Sequence, residues 1–186
     1  MNSIAADVAQ TAHDVRSMWG WYLTLGIALI ALGAYAIYAE SAATIASVVV
    51  LGIVLMLAGV VQIISGFMAR GAGHVILLLL IGVLDIVVGL MLIEHPNAGA
   101  LTVTLLLAAL FVFGGIYRFV AALWLQFPQY GWVAASGVVS TVLGVLLWAQ
   151  WPNSASWFIG FAVGVNLIFA GVAWSALALK LKSVTA

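Results

Sequence analysis

Residues 82–97, GVLDIVVGLMLIEHPN, contain two glycines seven positions apart, one carboxylate in an apolar run, and a Glu-His-Pro-Asn turn. The glycine pattern occurs three times in the chain at offsets of 55 or 56 residues. A fixed period of this length indicates tandem copies of one supersecondary unit. The corresponding pairs are Gly26 and Gly33, Gly82 and Gly89, and Gly137 and Gly144.

The composition indicates an integral membrane protein. The chain of 186 residues is 67% hydrophobic and 5% charged, whereas a soluble domain carries about 25% charged residues. Its apolar runs are long enough to cross a hydrocarbon core of about 30 Å. The net charge is zero and there are no cysteines, so the sequence predicts no nucleic-acid partner, disulfide or thiolate metal site.

The sequence predicts an all-α integral membrane fold of six transmembrane helices, arranged as three tandem helical-hairpin repeats. Helices are expected because an open sheet would leave backbone groups unpaired in lipid. The repeat units are about 19–73, 74–129 and 130–182. Residues 1–18 form a cytoplasmic tail or an amphipathic surface helix, two alternatives that stay open, and 183–186 form a second tail. The predicted helices are 19–39, 43–68, 74–93, 98–123, 130–149 and 154–179.

The arrangement of positive charges predicts the orientation of these helices. With six crossings, all five Lys and Arg residues fall on one side, and the other side carries Glu40, Glu94 and His95. The positive-inside rule then places both termini in the cytoplasm and the three tight turns outside. The first apolar run is interpreted as a retained helix, since its preceding segment is not basic and the run matches later copies.

Small residues recur every seven positions, so they share one face of each helix and predict close helix packing. The alternative interpretation is that these glycines contact a substrate, but helix packing is the favoured interpretation. The predicted packing positions are Gly26, Gly33, Gly52, Gly59, Gly82, Gly89, Gly115, Gly137, Gly144, Gly164 and Gly171.

Several stretches together resemble the HdeD family of bacterial acid-resistance membrane proteins. They are GVLDIVVGLMLIEHPNAG, the Gly-Gly-Ile-Tyr-Arg run at 114–118, GWVAASGVVSTVLGVLL and WPNSASWFIG. The resemblance extends from Trp19 to about Lys182, with one departure at Glu40, where a proline is expected. It implies a bacterial inner-membrane protein linked to survival in acid, and it brings no catalytic or binding residue to this chain.

Asp85 is the sharpest candidate for chemistry because it lies near the middle of the third helix. A charge at the membrane centre costs about 2.5–3.5 kcal/mol on insertion scales. It is either a proton-responsive group on an ion path or a buried acid bonded to neighbouring helices. Repeat arithmetic places Ser140 at the equivalent position, and Asn166 lies at a similar depth, so these three residues form a candidate intramembrane polar site.

The outer turns form a second candidate site. Glu40, Glu94 and His95 predict either a pH-responsive cluster, since histidine changes charge between about pH 5 and 7, or a solvated turn. His74 lies at the opposite face from His95, which leaves no predicted metal-ligand set. Phosphate-binding and nucleophile motifs are absent from the sequence, so no catalytic residue and no cofactor are predicted.

Three functions remain after these exclusions. The first is a non-enzymatic structural or stress-response protein of HdeD type. The second is an accessory subunit of a larger membrane complex, because the nearly continuous apolar faces suit lipid, a second copy of the chain or another helix bundle equally well. The third is a small transporter or channel that uses Asp85, although many transporters use inverted repeats rather than units in one orientation.

Overall fold

Six long helices make up the computed structural model, which describes residues 19–68, 71–125 and 129–185. The predicted tail 1–18 lies outside the described residues. All six helices are long and apolar enough to span a membrane, which confirms the predicted fold class. Their bounds are α1 Trp19–Tyr38, α2 Glu40–Met68, α3 Ala72–Glu94, α4 Pro96–Leu125, α5 Tyr130–Ala149 and α6 Phe158–Thr185.

The helix ends differ from the predicted ones for local reasons. Helix α2 begins at Glu40, three residues early, where an acidic side chain in the first turn favours the positive end of the helix dipole. Helix α4 begins at Pro96 itself, since proline is well suited to the first helical position. A short 3-10 helix, Asn153–Ser156, precedes α6, which then extends to Thr185, so residues 183–185 of the predicted tail are helical.

The loop between α2 and α3 reverses the chain at Gly71. This residue has φ 102°, a conformation that strains side chains other than glycine. A β-carbon added at Gly71 would meet no atom within 4 Å. The glycine is therefore required by its backbone angle and not by packing.

The described chain divides into two compact parts. One part is residues 40–160, in which α2 packs along α3 and α4 packs along α5. Its buried apolar cluster contains Val48, Leu92, Ala100 and Ile159. The other part contains α1 and the segment of α6 from Phe161 onward, which pack on each other.

The closest helix contacts in both parts occur at paired small residues. All eleven predicted packing glycines are buried, and a β-carbon added at each would lie 2.5–2.8 Å from a backbone carbonyl oxygen of the partner helix. The contacts run antiparallel with constant register. The pairs are Gly52·Gly89 and Gly59·Gly82 in α2·α3, Ala108·Gly144 and Gly115·Gly137 in α4·α5, and Gly26·Gly171 and Gly33·Gly164 in α1·α6.

The partners in these pairs come from different repeat units. The tight turns at Ala39, His95 and 150–157 join the two helices of one predicted hairpin, but the glycine contacts join α2 to α3, α4 to α5, and α6 to α1. Each helix places its small residues on a single face, and that face receives one closely packed partner. We call these three glycine-lined contacts the seams.

Adjacent glycines in α4 provide a direct test of the seams. A β-carbon at Gly115 would lie 2.6 Å from both the Gly137 carbonyl oxygen and the Thr141 backbone nitrogen, whereas one at Gly114 meets nothing within 4 Å. We expect Gly115→Val to destabilise the protein by about 3 kcal/mol, because backbone atoms must separate to admit the side chain. Gly114→Val is the matched control, with the same gain in helix propensity and no clash.

The measurement is the free energy of unfolding of both variants by steric trapping in lipid bicelles. Equal stabilities of the Gly114 and Gly115 variants would show that close backbone approach at Gly115 does not hold α4 to α5.

Candidate functional site: an amide–carboxylate pair between two membrane helices

Asp85 forms a hydrogen bond with Gln62 across the α2·α3 seam. The Gln62 Nε2 atom donates to Oδ2 of Asp85 at 2.6 Å, and both side chains are half-buried. Each residue lies three positions after a seam glycine, Gly59 in α2 and Gly82 in α3. The close approach of the two glycines therefore fixes the position of the polar pair.

Side-chain direction explains how two residues at different heights meet. In the register that pairs Gly59 with Gly82, Gln62 lies opposite residue 79, so Asp85 is displaced along the helix axis by about 9 Å at 1.5 Å per residue. The Cα–Cβ bonds of a helix tilt toward its N-terminus. Because α2 and α3 are antiparallel, the side chains of Gln62 and Asp85 lean toward each other and close this distance.

The chemistry of the pair is that of a carboxyl group held by one amide donor. An interhelical hydrogen bond contributes about 1–2 kcal/mol in model membrane peptides, which offsets part of the cost of placing the polar Asp85 side chain within the membrane. One carboxylate oxygen of Asp85 and the amide oxygen of Gln62 remain as acceptors for a proton or a donor. The pair thus anchors α2 to α3 and leaves one side of the carboxylate available.

Gln62 is the residue that the candidate intramembrane site did not include. The signal for it was present in the sequence: it follows Gly59 at the same offset at which Asp85 follows Gly82. Its repeat-equivalent positions are Arg118 in α4 and Trp174 in α6. The offset identifies the pair only when it is known that α2 packs against α3.

The other two members of the predicted intramembrane site lie on different helices. Ser140 is half-buried on α5, three residues after Gly137. Asn166 is exposed on α6, in the part of the chain formed by α1 and α6. The hydrogen-bond partner of Asp85 is Gln62 and not Ser140.

The three predicted outer-turn residues are exposed, and two of them, Glu94 and His95, are adjacent in sequence. Glu94 is the last residue of α3, His95 follows it, and Glu40 begins α2. The backbone of His95 forms the turn: its N–H donates to the Met91 carbonyl at 3.0 Å, and its carbonyl accepts from the Gly99 N–H at 2.9 Å. These bonds fix the path of the chain and leave the imidazole at the surface.

A small cavity of about 220 Å³ lies close to these turns, within residues 40–160. Its lining includes the repeat-equivalent residues Thr44, Ala100 and Ser156, and also Asn97. The buried Thr44 hydroxyl accepts the Gly160 N–H at 2.9 Å, which ties the start of α6 to α2. The cavity carries hydroxyl and amide groups and no charged side chain. Among the described residues, no cluster of His, Asp or Glu is arranged to hold a metal ion.

Among known protein families, the chain matches the model described as a short repeat of unknown function (DUF308). This family model matches residues 24–94 and again residues 80–149, which together cover about two-thirds of the chain. The starts of the two matches are 56 residues apart and the ends 55, the period of the seam glycines. Neither a curated protein nor a solved structure matches the chain.

A double-mutant cycle tests the energetic role of the pair. We expect Gln62→Leu and Asp85→Leu each to destabilise the protein, and the double variant to lose less than the sum, with a coupling energy of about 1–2 kcal/mol. The single Gln62→Leu change leaves the carboxyl group without its donor, which the double change avoids. The free energy of unfolding in bicelles is the measured quantity, and strictly additive effects would contradict the assignment.

Proposed function

The chain belongs to the family of the short repeat of unknown function (DUF308), and from this we propose that it is a small, non-enzymatic membrane protein of HdeD type that supports survival in acid. HdeD proteins are members of this family, and the four stretches that resemble them lie in the same order here. The observation that carries the structural part of the proposal is the three glycine seams, which occupy the small-residue face of every helix.

The distribution of polar groups supports a structural role over catalysis. Within the described membrane helices, the Gln62 and Asp85 side chains form a hydrogen bond that joins two helices. The exposed Glu40, Glu94 and His95 lie at the turns. A protein with this inventory acts through its stability in the bilayer and through the surfaces that it presents.

Gene deletion in the organism of origin tests the acid role. We expect deletion to lower survival at acid pH and a plasmid copy of the wild-type gene to restore it. Gly115→Val should fail to restore survival where Gly114→Val succeeds, since only the first disrupts a seam. Unchanged survival after deletion would contradict the stress role.

Experiments on the same strains and on the purified protein distinguish the structural role from a transporter and from an accessory subunit. A transporter that uses Asp85 would show pH-dependent flux in proteoliposomes, lost in Asp85→Asn, and that result would replace the structural proposal. An accessory subunit would co-purify with stoichiometric partners in mild detergent. The structural proposal expects no flux and recovery of the chain alone or as a homo-oligomer.

The proposed location is the bacterial inner membrane with both termini in the cytoplasm. Lys180 and Lys182 lie near the end of α6 that follows the last crossing, and Glu40 and Glu94 lie at the turn ends of α2 and α3. This asymmetry is what the positive-inside rule requires. We expect alkaline phosphatase fused after His95 to be active and the same enzyme fused after Lys182 to be inactive. The reverse pattern of phosphatase activity would show that the termini lie outside the cytoplasm.

A further inference from the structure

Arg118 is a cation of α4 with no partner in the described chain. It lies seven residues before Leu125, the last residue of the helix, which corresponds to about 10 Å along the axis. Its side chain is exposed, and within 19–68, 71–125 and 129–185 no group forms a hydrogen bond or ion pair with it. A cation at this distance from a helix end is costly in a membrane unless its side chain reaches the headgroups or an anion accompanies it.

The repeat shows that this position normally has a partner. The two equivalent residues both have one: Gln62 donates a hydrogen bond to Asp85, and Trp174 stacks on Tyr22 with ring centroids 5.6 Å apart. Of the three equivalent residues, Gln62, Arg118 and Trp174, only Arg118 has no hydrogen bond or ring contact to another side chain within the described residues. A partner from outside the chain would complete the pattern.

An apolar groove lies on the same helix, and Tyr117, the residue before Arg118, is part of its lining. It has a volume of about 330 Å³ and is lined by Tyr117, Val120, Ala121, Trp124 and Leu125. Residues three and seven positions apart lie on one side of a helix, so Ala121 and Leu125 continue the side on which Arg118 lies. Tyr117 is 74% exposed and Trp124 86% exposed, as is typical of aromatic residues at a membrane–water interface.

We propose that Arg118 and this groove form a binding site for an anionic glycerophospholipid. The guanidinium group would bind the lipid phosphate, for which its planar donors are well suited. The groove between Tyr117 and Trp124 would receive the upper part of an acyl chain. Charge complementarity selects this occupant, since the groove is apolar and Arg118, the one charged residue within Pro96–Leu125, is positive. The site is independent of the proposed acid role and requires only that the helices span a membrane.

Native mass spectrometry of the full chain in mild detergent tests the site. With added phosphatidylglycerol, we expect one bound lipid per chain at concentrations where phosphatidylcholine binds less. Arg118→Gln should weaken phosphatidylglycerol binding about fivefold, the effect of removing one basic residue near a membrane surface. Lys180→Gln is the control for loss of a positive charge elsewhere and should leave this binding unchanged. Trp124→Ala should weaken the binding of both lipids, because it removes one wall of the groove.

A second readout keeps the proposal testable if Arg118→Gln folds poorly. Arg118→Lys keeps the charge, and phosphatidylglycerol should raise its Tm as it raises that of the wild type, while glycerol phosphate alone should not. Equal binding of the two lipids by the wild type would overturn the proposal. Undiminished phosphatidylglycerol binding by a folded Arg118→Gln variant, or full stabilisation by glycerol phosphate, would overturn it as well.

Discussion

Close approach of helix backbones at paired small residues is the contact on which the rest of this structure depends. In lipid, apolar side chains gain little by leaving the membrane for a protein interface, so helices associate through packing and interhelical hydrogen bonds. At Gly59 and Gly82, an added β-carbon would lie 2.5 and 2.8 Å from the opposing carbonyl oxygen. A larger residue would fit there only if the backbone moved. Because glycine occupies these positions, the two helices can pack closely along their length.

The seams also position the side chains beyond the glycines. The residue four positions after each glycine covers the glycine of the opposite helix, as Ile86 covers Gly59 and Ile63 covers Gly82. In α4·α5 the same position is held by Thr141, whose hydroxyl donates to the Gly137 carbonyl of its own helix at 2.9 Å. The residue three positions after each glycine lies beside the seam. Polar groups at that position, such as Gln62 and Asp85, are therefore held at a fixed height and can pair.

Much of this fold is predictable from the sequence, and what is missing has a physical reason. Hydrophobicity predicts six spans, and the period of 55 or 56 predicts the repeat, because both depend on local composition. Glycine spacing predicts which face of each helix packs. It does not predict which helix packs there, since α2 has suitable neighbours on both sides along the chain. That one unknown explains why sequence spacing alone groups Asp85 with Ser140 and Asn166 and does not include Gln62.

The pair formed by α1 and α6 shows that chain connection does not select the partners. The other two seams join helices linked by short loops, whereas α1 and α6 stand at opposite ends of the described chain. They nevertheless meet in the same antiparallel register, Gly26 with Gly171 and Gly33 with Gly164.

Aromatic contacts join the first part of α1 to the last part of α6. In the other two pairs, a loop connects the helices at this end. Tyr22 stacks on Trp174 with an interplanar angle of 2°, and the Lys182 ammonium group lies 4.9 Å from the centre of the Trp19 ring. A cation–π contact contributes about 0.5–1 kcal/mol at an exposed site, and offset aromatic pairs contribute about as much. The glycine faces thus determine where the helices of each pair touch, and loops or aromatic side chains hold the ends of each pair together.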